Sequence, residues 1–285
     1  MIQVNGEKAV AIVKEEQVYN VTAYASAQNK ALTTTEQLIE HYEQWQAELQ
    51  ALSAAQLQPY AVKEGTFTYL PVVEKPEKVI CVGLNYKKHA IESNMPIPTK
   101  PVLFNKFANS LAAHGEEIPA VFDSTQNDYE AELAIIIGKE AKNVSKEEAL
   151  HYVFGYANAN DLSARDLQFR TNQWLLGKAI DKYLPIGPYL VTADEVGNPN
   201  HLTIQTIYNG ELVQNSNTAD MIFYCDEIIA YLSQYLTLKP SDIIITGTPE
   251  GVLMGLPEEE RHFMKPGDEM IIQIEKLGQL KNVLV

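Results

Sequence analysis

Cysteine is scarce in this chain: Cys81 and Cys225 are the only two among 285 residues. They form no CxxC pair, which excludes a disulfide framework and leaves two reduced, packed thiols. Histidine and cysteine nowhere fall at zinc-ligand spacing. Basic residues are also few, 22 against 37 acidic ones, for a formal net charge of −15. A surface this negative repels nucleic-acid phosphates and anionic membranes, and no Lys/Arg-rich stretch offsets it. No apolar run reaches the ~18 residues that a membrane span needs. The opening MIQVNGEKAVAIV has no basic region followed by a long apolar stretch, so no signal peptide is expected and the expected address is the cytoplasm. Repeats, low-complexity tracts, a P-loop and a GxGxxG are absent too, which leaves nucleotide binding without a motif.

A hydrophobic fraction of 46% and a charged fraction of 21% describe an ordinary globular protein with a sizeable core. The length suits one large domain with a small appendage. In the first part, Ile2–Val4 and Ala9–Val13 flank Asn5-Gly6, a dipeptide that favours a tight hairpin turn, and residues 17–21 suit a third short strand. Thr33-Thr34-Thr35-Glu36 then opens a helix that runs to about Ala55. Leu38, Ile39, Tyr42, Trp45, Leu49 and Leu52 form its apolar stripe. Residues 1–72 therefore read as a small N-terminal domain of hairpin plus helix, and 73–285 as the main domain.

From Lys78 onward short β-branched runs separated by Gly, Pro, Asn and Asp predict strands at 79–82, 102–104, 130–137, 187–191, 202–208, 243–246 and 270–274. Two helices are expected, 146–152 capped by Ser145 and 221–235. Many strands with few helices predict a β-rich α+β fold rather than an alternating parallel sheet.

The segment Asp128-Tyr-Glu130-Ala-Glu132 runs into Ile135-Ile136-Ile137. Side chains alternate faces on a strand, so Glu130 and Glu132 point the same way, and Asp128 joins them if the strand extends back. Carboxylates leading into a buried strand are costly unless paired or metal-bound. A solvated acidic edge or a lysine-paired patch is the plainer use of such a pattern. Asp161, after the small-residue run 155–159, offers a third carboxylate, although an isolated aspartate commonly caps a helix. Three carboxylates with water suit Mg²⁺ or Mn²⁺. Lys106 is open between pocket cation and surface residue.

Seven strings, GLNYKKHAIE (83–92), FNK (104–106), DYEAELAIIIG (128–138), NDLSARDLQ (160–168), GKAIDKYLPIGP (177–188), NGELVQNSNTADMIF (209–223) and ITGTPEGV (245–252), together resemble the fumarylacetoacetate hydrolase family. They stand in family order across about residues 78–285. The resemblance implies a mixed β-roll or barrel catalytic domain, usually a homodimer, acting on a small 2-oxo acid. It implies Mg²⁺, with Mn²⁺ also accepted, held by Glu130, Glu132 and Asp161. It places a His–Glu pair at His89 and Glu92 on a lid, a catalytic lysine at Lys178, and substrate contacts at Arg165, Gln168 and Thr248. The plainer uses of these residues are a loop histidine, a surface lysine and a simple Gly-Thr-Pro turn.

The reaction the family pattern first suggests is hydrolysis of a C–C bond in an acylpyruvate-like 2,4-dioxo acid, through an enolate that the metal stabilises. The alternatives are oxaloacetate decarboxylation or tautomerisation, or isomerisation of 2-hydroxyhepta-2,4-diene-1,7-dioate, at the same residues. A non-catalytic, metal-stabilised binding protein is the reading from another class.

Overall fold

The computed structural model describes residues 1–285. Its centre is a seven-stranded sheet with the spatial order Val102–Lys106, Val79–Gly83, Ile243–Ile245, Ala131–Ile137, Val153–Asn160, Leu184–Thr192, Leu111–Ala112. A five-stranded sheet lies against it, ordered Glu117–Ile118, Gln279–Leu284, Glu269–Ile274, Thr203–Tyr208, Glu211–Asn217. The fold is strand-rich α+β with a curled main sheet, as the composition of strands and helices predicts.

Ala131–Ile137 is buried along its whole length, and its alternation serves two cores. Leu133, Ile135 and Ile137 face a cluster shared with Ile204, Ile272 and Leu280 of the second sheet and with Ile228, Ile229 and Leu232 of the helix Cys225–Tyr235. Ala134 and Ile136 face the other way, against Val72, Val73, Ile186, Ile243 and Ile245. A strand covered on both faces reads as a continuous apolar run, which is why III stands at 135–137. Each buried Val, Leu or Ile among them contributes roughly 1.5–3 kcal/mol.

The first 72 residues build two three-stranded sheets rather than one hairpin. Glu7–Ala9, Ile2–Val4 and Phe67–Tyr69 form one, and Ala11–Lys14, Gln17–Asn20 and Ala61–Val62 form the other. Asn5 and Gly6 make the expected turn, with φ of 52° and 83°. The expected long helix is divided. Thr34 caps a first piece, Thr35–Glu40; the chain turns at His41, a second piece runs Tyr42–Ala51, and Ser53 caps a third, Ala54–Leu57. The break lets Leu38 join Trp45 in a local cluster while Ile39 packs into the core under the main sheet.

Two other expectations need correction. Residues 146–152 give only a 3₁₀ turn, Ala149–Tyr152, because Ala149 is the single buried side chain there and holds no longer helix in place. The 221–235 helix begins at Cys225. Met221 instead bridges to Tyr86, and the Ile222 N–H donates to the Asn85 carbonyl at 2.7 Å.

Candidate active site

Strand parity assembles the acidic cluster. Glu132 pairs with Ala159 across the sheet, and the Asp161 N–H donates to the Glu130 carbonyl at 2.9 Å. Glu130 and Glu132 share the face of Ala134 and Ile136, while Asp161 continues the face of Ala157 and Ala159. One oxygen from each of Glu130, Glu132 and Asp161 lies within 4.8 Å of the others, and all three residues are buried. Asp161 caps no helix.

Cations are interleaved with these acids. Lys178 Nζ lies 2.7 Å from Glu130 Oε2 and 2.9 Å from Asp161 Oδ2. Lys106, fully buried, pairs with the second oxygen of Asp161, so it is a site cation and not a surface residue. Arg165 Nη1 lies 2.7 Å from Glu130 Oε1, and its Nε donates to Asp128 Oδ2 at 3.0 Å. Its Nη2 is 2.9 Å from the same Asp128 oxygen but off hydrogen-bond alignment, so that contact is ionic. Asp128 also accepts from the N–H groups of Leu253 and Met254 at 2.9 and 3.0 Å. Asp128 thus serves Arg165 and the loop 253–255.

These charges set the electrostatics. Burial works against ionised Glu130, but Lys178 and Arg165 outweigh it and hold its carboxyl well below the ordinary range. Glu132 is the opposite case. Burial, then repulsion from Asp161 and Glu130, push its carboxyl well above the ordinary range. It has no ion pair and is held by the Gly247 N–H. Gly247 has φ +98°, and a Cβ there would lie 2.6 Å from the Asn85 Cβ, so only glycine lets the backbone approach. Three convergent oxygens, one on a carboxylate that lacks a cation, fit a hard divalent ion.

The helix Lys87–Glu92 places His89 and Glu92 on one face, with His89 Nδ1 2.8 Å from Glu92 Oε1. Glu92 Oε2 accepts from the Gly251 N–H at 3.0 Å, so both carboxylate oxygens are engaged. A carboxylate can only accept, so the contact assigns a proton to Nδ1, and in the neutral imidazole Nε2 is then the acceptor.

A cavity of ≈ 300 Å³ joins the two groups. It is lined by His89, Glu92, Glu130, Glu132, Arg165, Gln168, Lys178 and Thr248, so eight of the nine residues singled out from sequence face one space. Asp161 lies just behind, fully buried under Lys178 and Lys106. Arg165 Nη1 donates to Gln168 Oε1 at 3.0 Å, leaving the Gln168 amide nitrogen without a protein partner. Thr248 Oγ1 accepts from Gln214 Nε2 at 3.0 Å, so its own hydroxyl proton is free. Sequence reasoning missed the apolar wall of Phe104, Trp174 and Met254, and it missed Arg261. Phe104 and Trp174 meet edge to face at 5.4 Å, a contact between residues 70 apart that no local pattern announces.

Comparison with known proteins bears on this arrangement. Residues 78–285 match the family described as fumarylacetoacetate (FAA) hydrolase C-terminal. Human oxaloacetate tautomerase FAHD2A, mitochondrial, is 42% identical over 270 residues, which is 94% of this chain and 84% of that protein. A fumarylacetoacetate hydrolase from psychrophilic Exiguobacterium antarcticum superposes with TM-score 0.84 at 31% identity, over 99% of this chain and 97% of that one. Fumarylpyruvate hydrolase from Pseudomonas aeruginosa, solved in complex with Mn²⁺ and pyruvate, gives TM-score 0.68 at 35% identity, over 74% and 90%.

Proposed function

Because the chain belongs to the fumarylacetoacetate hydrolase family, a family of enzymes, we propose that it interconverts the keto and enol forms of oxaloacetate or a close 2-oxo acid. The observation that carries this reading is the His89–Glu92 pair. It stands in the cavity wall with His89 Nδ1 on Glu92 and both Glu92 oxygens engaged, so neutral His89 has Nε2 as its one proton acceptor. Tautomerisation needs one group that moves one proton. His89 Nε2 takes it from C3, and the C–H electrons become the C2–C3 double bond as charge gathers on the C2 oxygen. The imidazolium, stabilised by Glu92, then gives that proton to the oxygen, and the reverse order returns the keto form.

Glu130, Glu132 and Asp161 would hold Mg²⁺ or Mn²⁺, which when bound supplies a Lewis acid for the 2-oxo group and its carboxylate. Lys178, itself buried, adds a fixed positive charge beside those buried acids. The free Gln168 amide nitrogen and the Thr248 hydroxyl donate to the substrate carboxylate and orient C3 toward His89.

The order of readings differs from the one the sequence favours. Hydrolysis of an acylpyruvate-like acid takes second place, because the tautomerase relative is 42% identical to this chain and the two hydrolases 31% and 35%. It stays a reading because a relative that cleaves fumarylpyruvate has been solved with pyruvate, and the same His–Glu pair can activate water. The test is direct. Purified protein with Mg²⁺ is given enol oxaloacetate, and its ketonisation is followed by ultraviolet absorbance beside acetylpyruvate cleavage. The proposal expects fast ketonisation that is lost in His89→Gln. Acetylpyruvate cleavage without accelerated ketonisation contradicts it and selects hydrolysis.

A further inference from the structure

The charges inside the cavity are unevenly committed. Four of its lining side chains can carry positive charge: His89, Arg165, Lys178 and Arg261. Arg165 is held by Asp128 and Glu130, Lys178 by Glu130 and Asp161, and His89 by Glu92. Arg261 alone makes no ion pair with any carboxylate of the chain, although Glu258, Glu259 and Glu260 immediately precede it. One contact orients it: its Nε donates to the Leu256 carbonyl at 2.7 Å. That bond engages Nε and leaves both terminal nitrogens without a partner in the chain. The loop carrying it is anchored at its base, where Leu253 and Met254 donate to the buried Asp128.

We propose that Arg261 is the receptor for a second carboxylate, and so the residue that selects 2-oxo dicarboxylic acids over monocarboxylic ones. The inference rests on the reading of Glu130, Glu132, Asp161 and His89 as the reacting end. A 2-oxo acid bound there places its 2-oxo carboxylate among Gln168, Thr248 and Lys178. The rest of the molecule extends into the remaining space, where Phe104, Trp174 and Met254 offer no charge partner. A second carboxylate in that space meets one uncommitted cation. Arginine suits the task, since two terminal N–H groups match two carboxylate oxygens and the group stays charged at any working pH. Arg261 sits on the exposed side of the cavity, so its effect is that of a partly hydrated charged hydrogen bond.

The experiment compares wild type, Arg261→Gln and Arg261→Lys with Mn²⁺ present. Ketonisation of oxaloacetate gives kcat and KM, and calorimetry gives the affinities of oxaloacetate and of oxalate, which fills the reacting end but has no distal carboxylate. In Arg261→Gln, KM and Kd for oxaloacetate should rise about tenfold. kcat and the oxalate Kd should stay within about twofold, and Arg261→Lys should recover part of the loss. Unchanged oxaloacetate affinity in Arg261→Gln overturns the inference. An equal loss of oxalate affinity also overturns it, because the loop would then be acting on the reacting end. Failure of the tautomerase reading is distinguishable: wild type would not accelerate ketonisation, while calorimetry would still show whether the dicarboxylate depends on Arg261.

Discussion

Replacing Lys178 by methionine removes a buried ammonium that lies 2.7 Å from Glu130 and 2.9 Å from Asp161. The methionine stem keeps the packing against Phe104, over whose ring the ammonium sits at 5.1 Å. Removing one member of a buried ion pair costs ~3–5 kcal/mol, because the opposite charge is left stranded. Neither carboxylate is fully stranded here, since Glu130 keeps Arg165 and Asp161 keeps Lys106. The lower end, ~3 kcal/mol, is therefore the expected loss in chelator. For 285 residues at ~2.1 cal/mol/K each, a kcal/mol moves Tm by about 1.5–2 °C, so the variant should melt roughly 5 °C below wild type. Saturating Mn²⁺ should then raise the variant's Tm by more than it raises wild type's, since the ion supplies charge that the lysine no longer does. Ketonisation of oxaloacetate should still fall by about 10²-fold in kcat, the usual effect of losing one fixed electrostatic donor. Differential scanning calorimetry with EDTA and with Mn²⁺, beside the ultraviolet assay, measures all three. Melting that matches wild type in chelator, or an equal gain from Mn²⁺, refutes the charge balance described for the cluster. An unchanged kcat removes Lys178 from the chemistry.

Further predictions concern the frame around the site. Asp268 accepts from the Tyr208 hydroxyl at 2.6 Å, the Lys265 N–H at 2.8 Å and Asn209 Nδ2 at 2.9 Å. Burial opposes its charge, but these donors prevail and hold its carboxyl below the ordinary range. A depressed carboxylate stabilises the fold fully above its unfolded value of about 4 and loses that contribution as pH falls through the lower folded value. Asp268→Asn should thus lower stability at neutral pH and flatten its decline in acid, as urea melts across pH would record. Gly247→Ala should cost ~1–3 kcal/mol through its positive φ alone, and more through the clash with Asn85. Near-wild-type urea stability would show that the turn can move. Leu133→Ala, in the middle of the two-sided central strand, should cost ~2–5 kcal/mol with little change in KM. A specific loss of substrate affinity there would tie the core to the site in a way the structure does not show.

The acidic cluster is legible in the sequence to the extent that strand periodicity reaches. Glu130 and Glu132 share a face because the β repeat is two, and the apolar run that follows them marks the strand as buried. For Asp161 the residues leave a third carboxylate and a helix cap both open, and only the family pattern decides, since its place opposite Glu130 depends on pairing between strands about thirty residues apart. Lys106 is open in the sequence for the same reason: its partner Asp161 stands 55 residues away. The division of the 33–55 helix at His41 is illegible because the apolar stripe runs through the break unchanged. The stripe's residues serve two cores whose positions only the packed sheet defines. Arg261 escapes any pattern method. It sits in an irregular loop behind three glutamates, and its meaning lies in which carboxylates fail to reach it.

Metal binding turns on Glu132, a buried carboxylate that makes no ion pair with any cation of the chain. Calorimetric titration of chelator-stripped protein with Mn²⁺ tests this most directly, with wild type beside Glu132→Gln. One ion per chain should bind to wild type, and uptake should weaken by at least about tenfold in the variant. Wild-type protein that takes up neither Mn²⁺ nor Mg²⁺, or a variant that binds as well as wild type, would contradict the account.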